Sequence, residues 1–165
     1  TRERARDLPH TPVLLKGYGE GHHYEHISQA TDLTRSAAVD SGKAAFEQAG
    51  IEPSDIELAQ LYDCFSPALL IQLEDLGFCD KGAGGDFLAS GATRPGGALP
   101  VNTHGGMLSH CHPGNPGAMF GLTEAVRQYR GAAGTRQLAH LEHTLLHAQG
   151  GIMSSHATVV LGRAN

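Results

Sequence analysis

Short apolar runs alternate with amphipathic stretches along the first half of this chain. Residues 13–17 (VLLKG) and 56–62 are each typical of a short buried strand. Between them, apolar residues at helical spacing predict a helix that begins after an N-cap at Thr34 and ends at Gly50. The polar, histidine-rich stretch 19–29 predicts a loop.

The second half continues this alternation of strand and helix patterns. Ser66 and Pro67 mark a helix start, because proline is favoured at the first helical position, and the apolar spacing of that helix ends at Gly77. The remaining predicted elements are a short helical segment at 82–91, a strand at 98–101, a helix at 118–129 and two strands at 143–148 and 157–161. The last two flank a Gly-Gly turn and predict a hairpin.

This order of elements predicts an α/β fold. Alternating strands and helices favour a mainly parallel sheet with helices on both faces, to which the closing hairpin adds an antiparallel strand. The 165 residues fit one domain. We expect a charged lead-in at 1–11 and the domain at 12–165. The start at Thr1 rather than at a methionine predicts that the chain is a piece of a longer protein.

Composition narrows the class of protein. The net charge of −5, with acids and bases interspersed, argues against a nucleic-acid partner, which requires a basic face. The chain has no apolar run of membrane-spanning length and no signal-peptide pattern, which predicts no membrane association. Three widely spaced cysteines suit a reducing compartment and predict a cytoplasmic location: Cys64, Cys79 and Cys111.

The run 96–117, GGALPVNTHGGMLSHCHPGNPG, concentrates glycine, proline and histidine in one loop. Glycine lets the backbone approach a ligand, and histidine exchanges protons near neutral pH, so this loop predicts an active-site wall. His112 lies between turn-forming residues, where its N–H could stabilise a developing oxyanion. The alternative is a solvated loop histidine.

Cys64 is the second candidate for chemistry. It follows a predicted strand and precedes a predicted helix, at the sheet edge where open α/β folds bind ligands. A thiol close to a helix N-terminus ionises more readily than a free one. The alternative is a small buried hydrophobic residue.

Other motifs give weaker signals. His140, His143 and His147 have the spacing of one helical face and could bind zinc. That segment leads into a strand and offers no further ligand, so we predict no metal site. Neither a P-loop nor a GxGxxG fingerprint is present, and no nucleotide cofactor is expected.

Several motifs in order point to a family. They are YDCF at 62–65, LGFCDKGAGGDFLASG at 76–91, GGALPVNTHGGMLSHCHPG at 96–114, QYRG at 128–131 and HAQGG at 147–151. Together they resemble the C-terminal half of the thiolase superfamily. The similarity is to the branch of sterol-carrier-protein thiolases and lipid-transfer-protein-like enzymes, over residues 12–162.

The resemblance implies a fold and a site. Each half of such an enzyme has a five-stranded mixed sheet between helices, here a three-layer α/β/α unit. Family members usually dimerise and make or break carbon–carbon bonds in acyl-CoA thioesters, with a nucleophilic cysteine in the N-terminal half. His112 matches the family's GHP histidine and Cys64 its acid/base cysteine. His147, Ala148 and Gln149 replace the C-terminal Cys-x-Gly of ordinary thiolases, as in the similar sterol-carrier branch, and His147 is a further catalytic candidate. Four candidate substrate-binding residues lie in the same motifs: Asn102, Gly105, Gly106 and Phe65.

Two departures from the family pattern leave the activity open. Tyr62 replaces the histidine of the family's HDCF motif, and Cys111 replaces the glycine before the GHP histidine. The favoured activity is a thiolase acting on 3-ketoacyl-CoA. One alternative is a retro-aldolase, since similar lipid-transfer-like enzymes use tyrosines to cleave β-hydroxyacyl-CoA and pair with an OB-fold, zinc-ribbon protein. Another is a non-catalytic acyl-lipid carrier subunit. The only cofactor-like group expected is the coenzyme A of the substrate.

Overall fold

The computed structural model describes residues 2–114 and 116–164. Thr1, Asn115 and Asn165, which belong to the predicted lead-in, loop and domain end, lie outside the described residues. The elements are α1 Arg2–Arg6, β1 Val13–His22, α2 Ala38–Ala49, β2 Leu58–Leu61, α3 Ser66–Asp75, α4 Gly84–Ala89, α5 Gly106–Ser109, α6 Gly117–Tyr129, β3 His143–Gly150 and β4 Ser155–Arg163. None of the helices formed by the described residues is long and apolar enough to cross a membrane.

The described residues form one four-stranded mixed sheet in the order β1-β4-β3-β2. β4 runs antiparallel to both β1 and β3, so the predicted hairpin is confirmed, and only β2 and β3 pair in parallel. The expectation of five strands is wrong. Residues 98–101 contribute a single bridge, from Val101 to Ala59, because the backbone turns at once through Asn102, whose φ is 50°.

Helices cover both faces of the sheet, as predicted. Gly17 and Gly19 of β1 face α2 so closely that a β-carbon on either would collide with a backbone carbonyl of that helix. On the other face, a β-carbon on Gly121 of α6 would lie 2.9 Å from Leu146 and 3.0 Å from Gln60. Both helices therefore pack against the sheet at positions that have no side chain.

Two predicted boundaries are corrected. β1 continues through part of the expected loop to His22, because Gly19 and Gly21 can pack under α2 within an extended strand. α2 begins at Ala38 rather than just after Thr34. The amide and hydroxyl of Thr34 instead donate to Asp32 Oδ1, at 2.8 and 2.7 Å, in a local turn.

Candidate active site

Tyr62 and His112 meet although they are 50 residues apart. Tyr62 follows β2, and His112 lies in the irregular segment between α5 and α6. The Tyr62 hydroxyl is 2.9 Å from His112 Nε2, and the two rings stand edge to face with their centres 5.6 Å apart. Two of the four catalytic candidates therefore form a hydrogen-bonded pair, with His112 exposed and Tyr62 partly buried.

The phenol of Tyr62 is protonated at neutral pH. Burial raises the pKa of Tyr62 above its usual value of 10.0, and the negative charge that Cys64 can carry raises it further. Alone, this side chain is a poor base. Its contact with His112 supplies a second group that can hold the proton.

Two side-chain amides fix the backbone that carries Tyr62. Gln72 of α3 accepts a hydrogen bond from the Tyr62 N–H at 3.1 Å and donates to the Tyr62 carbonyl at 2.8 Å. Asn102 makes the equivalent pair with Leu61, at 2.8 and 2.9 Å. The side chain of Asn102, a substrate-binding candidate, thus holds the end of β2 in place. This role of Gln72 is not predicted from the sequence. The one indication in the sequence is a polar glutamine within the apolar pattern of the α3 helix.

Gly105 and Gly106, two further binding candidates, shape the backbone next to a buried carboxylate. Their φ angles are 106° and 64°, which favour glycine. The carboxylate of Asp63 accepts a hydrogen bond from the Met107 N–H at 2.6 Å, within the one turn of α5. A β-carbon on Gly106 would occupy the position of that carboxylate. Asp63 therefore anchors the glycine loop to the end of β2.

Cys64 is half-buried, and its sulfur accepts a hydrogen bond from Gln149 Nε2 of β3 at 3.1 Å. It lies two residues before the first residue of α3, as predicted. Phe65, the fourth binding candidate, is 69% exposed at the N-cap of α3.

His147, the fourth catalytic candidate, is buried with both ring nitrogens bonded. The carbonyl of Met153 can only accept, so His156 Nε2 donates to it at 3.0 Å and His156 Nδ1 is an acceptor. His147 Nε2 then donates to His156 at 3.0 Å, and Thr158 donates to His147 Nδ1 at 2.8 Å. No ring nitrogen of His147 remains for a substrate, which makes this side chain part of the core.

The two stacked histidines are expected to make the fold sensitive to acid. Burial, and for His147 also the charge of His156, lowers the pKa of both rings below the usual 6.5. The folded state therefore binds fewer protons than the unfolded state below about pH 6.5. We therefore expect the free energy of unfolding to decrease as the pH is lowered from about 6.5 toward the pKa of each ring in the folded state. The decrease is up to about 1.4 kcal/mol per pH unit for each histidine.

Urea denaturation of the complete protein between pH 7.5 and 5 measures this slope. His147→Leu should flatten it, whereas His10→Gln, at an exposed position, should leave it unchanged. An equal slope in His147→Leu and the parent would contradict the assignment.

The histidines that were considered for zinc do not share a helical face, because His143 and His147 lie in strand β3. His140 precedes that strand and pairs with Glu57 at 3.0 Å. Among residues 2–114 and 116–164, no three histidine, cysteine or acidic side chains are grouped as a metal site.

The fold and the site define a class of protein. The family model described as "Thiolase C-terminal domain-like" matches residues 19–163. The chain therefore belongs to the thiolase superfamily, which confirms the resemblance seen in the motifs. A solved SCP2-thiolase-like protein from Mycobacterium smegmatis supports the sterol-carrier branch, with a TM-score of 0.73 and 25% identity over 99% of this chain and 32% of its own.

Particular relatives differ in activity. The chain is 41% identical to a steroid side-chain-cleaving aldolase from Thermomonospora curvata, over 93% of this chain and 39% of that protein. It is 35% identical to an acetyl-CoA acetyltransferase from Methanothermobacter thermautotrophicus, over 98% of this chain and 42% of the relative. A solved Ltp2–ChsH2(DUF35) aldolase superimposes with a TM-score of 0.86 and 39% identity, over 98% of this chain and 42% of its own. The chain thus spans about two fifths of these proteins.

Proposed function

We propose that the protein carrying this chain is a retro-aldolase that cleaves the Cα–Cβ bond of a β-hydroxyacyl-CoA. The observation that carries the proposal is the 2.9 Å contact between the Tyr62 hydroxyl and His112 Nε2. A phenol with a raised pKa passes its own proton to the histidine while it takes the proton of the substrate hydroxyl. The two side chains then act as one base at neutral pH.

The proposed step balances without an external reagent. The substrate hydroxyl gives its proton to the Tyr62–His112 pair, the Cα–Cβ bond breaks, and the hydroxyl carbon becomes a ketone. The electron pair of the broken bond passes to Cα as a thioester enolate. We assign protonation of that carbon to Cys64, whose thiolate would keep the N–H of Gln149 as a donor at 3.1 Å. The proton held by the pair returns to the thiolate.

The relatives indicate the substrate and the missing parts. The steroid side-chain-cleaving aldolase among the relatives favours a steroid substrate, and we propose that its acyl carbon carries coenzyme A. The reaction needs no cofactor beyond that coenzyme A. We further propose an N-terminal thiolase half in the rest of the protein, a homodimer, and a partner of the DUF35, OB-fold and zinc-ribbon type. These proposals replace thiolase as the favoured activity.

A thiolase is the second candidate, because Cys64 stands where the family places its acid/base cysteine and an acetyltransferase is among the relatives. In that reaction His112 and the group at position 62 would stabilise the thioester oxyanion, and Cys64 would move the proton of the acetyl carbon. A nucleophilic cysteine from the N-terminal half would take the acyl group. The third candidate, an acyl-lipid carrier, requires no turnover.

The complete protein decides among the three candidates. We would supply it with a β-hydroxyacyl-CoA without free coenzyme A, and separately with a 3-ketoacyl-CoA with and without free coenzyme A, and follow the products by mass spectrometry. Ketone release from the hydroxyacyl substrate alone supports the aldolase. Cleavage only of the ketoacyl substrate, dependent on coenzyme A, supports the thiolase, and no turnover with the partner present supports the carrier.

His112 separates a proton relay from a simple oxyanion donor. His112→Ala should lower kcat by about 10²–10³ while the fold is kept, a loss typical for one such group. His112→Gln keeps a hydrogen-bonding amide but no basic nitrogen, so the relay predicts an equally low kcat. Substantial recovery in His112→Gln would favour the oxyanion role. An activity within threefold of the parent in both variants would exclude His112 from the chemistry, with His10→Ala as the control.

A further inference from the structure

A small cavity, lined mostly by apolar surface, lies against Tyr62. Its volume is about 10 Å³, which matches the room needed for the centre of one water molecule. Tyr62, Gln60 and His104 line it together with the apolar side chains of Met107, Ala118 and Leu146. Gln60 and Tyr62 are two residues apart in one extended segment and face α6 together.

A buried carboxylate, paired with the partly exposed Arg136, fixes the orientation of Gln60. Arg136 binds both oxygens of the buried Glu124 carboxylate at 3.0 Å. Burial alone would raise the pKa of Glu124, but the hydrogen bonds from Arg136 and Thr103 outweigh burial and lower it, so the carboxylate is ionised and can only accept. Thr103 donates to it at 3.0 Å, and its oxygen is left to accept from Gln60 Nε2 at 3.3 Å.

Two polar groups on the cavity wall therefore lack partners among the described residues. Gln60 Oε1 points away from Thr103 and is buried without a hydrogen bond. Both ring nitrogens of His104 are also buried without a partner. Burial lowers the pKa of His104, so the ring is neutral and offers one donor and one acceptor. Buried polar atoms are almost always hydrogen-bonded, to protein or to ordered water.

We propose that this cavity binds one water molecule, which donates to Gln60 Oε1 and is hydrogen-bonded to His104, and that His104 is thereby a positioning residue for Tyr62. A water molecule has two donors and two acceptors, so it can bond Gln60 Oε1 and one ring nitrogen of His104 at the same time. The function of His104 rests on the proposed function of Tyr62. The water completes a series of hydrogen bonds that runs from the Glu124–Arg136 pair through Thr103 and Gln60 to His104, on the cavity wall next to the reacting phenol.

The water is tested by a high-resolution crystal structure of the complete protein. Density within hydrogen-bonding distance of Gln60 Oε1 and a His104 nitrogen is expected, and it should persist in His104→Gln and disappear in His104→Leu. A cavity without density, or a His104 ring bonded directly to protein, would overturn the proposal. This result does not depend on which reaction the protein catalyses.

The positioning role is tested by comparing the same two variants. His104→Leu should lower kcat by about tenfold with KM unchanged, as expected for a small misplacement of a reacting group. His104→Gln should stay within threefold of the parent. The ¹³C NMR signal of Tyr62 Cζ should shift in His104→Leu and not in His104→Gln, even if the substrate proves to be another. If the two variants change kcat and this signal equally, His104 has only a structural role and the positioning role is contradicted.

Discussion

Replacing Tyr62 with phenylalanine is expected to lower kcat for β-hydroxyacyl-CoA cleavage by about 10²–10⁴, the range for removal of a general acid–base group. The ring and its packing are kept, so KM should change little. Under the proposed relay the loss arises because the phenol that lies 2.9 Å from His112 no longer carries the hydroxyl proton to it. Steady-state kinetics and a substrate-binding titration measure the two effects separately.

The outcome for Tyr62→Phe discriminates the two enzymatic proposals. Tyr18→Phe, a tyrosine that is 55% exposed on β1, is the matched control and should behave as the parent. If Tyr62→Phe keeps the hydroxyacyl cleavage of the parent, the relay is contradicted. If the protein instead cleaves 3-ketoacyl-CoA with free coenzyme A, and Tyr62→Phe changes that rate only modestly, the result favours the thiolase proposal over the aldolase proposal.

Gly106→Ala is expected to cost about 3 kcal/mol or more of the free energy of unfolding, because two penalties add at one position. The φ angle of 64° disfavours any residue with a β-carbon. The new methyl group would also displace the Asp63 carboxylate that binds the Met107 N–H. Urea denaturation measures the loss.

Two variants separate these penalties. Gly82 has a φ of 86° and open space around its Cα, so Gly82→Ala isolates the backbone cost, which we expect to be about 1–2 kcal/mol. In Asp63→Ala the carboxylate is absent, so adding Gly106→Ala to it should cost less than in the parent. Equal costs in both backgrounds would show that Asp63 does not set the tolerance at Gly106.

The sequence predicts the ends of helices and strands correctly where a residue at the boundary itself favours the turn or cap. Ser66 and Pro67 start α3, and Gly50 and Gly131 follow the ends of α2 and α6 with φ of 68° and 66°. The Gly150 turn joins β3 and β4 in an antiparallel pair. These features depend on backbone angles that the residue types themselves prefer, so a sequence pattern predicts them.

The local pattern misleads where a neighbouring group competes for the same atoms or the backbone turns away. Thr34 has the residue type of an N-cap, but Asp32 takes its hydroxyl and amide. Residues 98–101 have a strand pattern, but the turn at Asn102 leaves a single bridge. His147 has the residue type of a catalytic group, but its neighbours occupy both nitrogens. For Thr34 and His147 other hydrogen bonds outweigh the preference of the residue type, and for 98–101 the backbone turn ends the pairing.

The family and the candidates Tyr62, Cys64 and His112 are predictable from residue types alone, because they lie in contiguous motifs whose residues carry the chemistry. The hydrogen bond between Tyr62 and His112 is visible only in the tertiary structure. The same holds for the hydrogen bonds of Cys64 with Gln149, 85 positions away, and of Tyr62 with Gln72. Such contacts join different elements of the fold, and the space around Tyr62 depends on how closely α6 approaches at Gly117. That approach is set by packing between elements, which no local pattern of residues records.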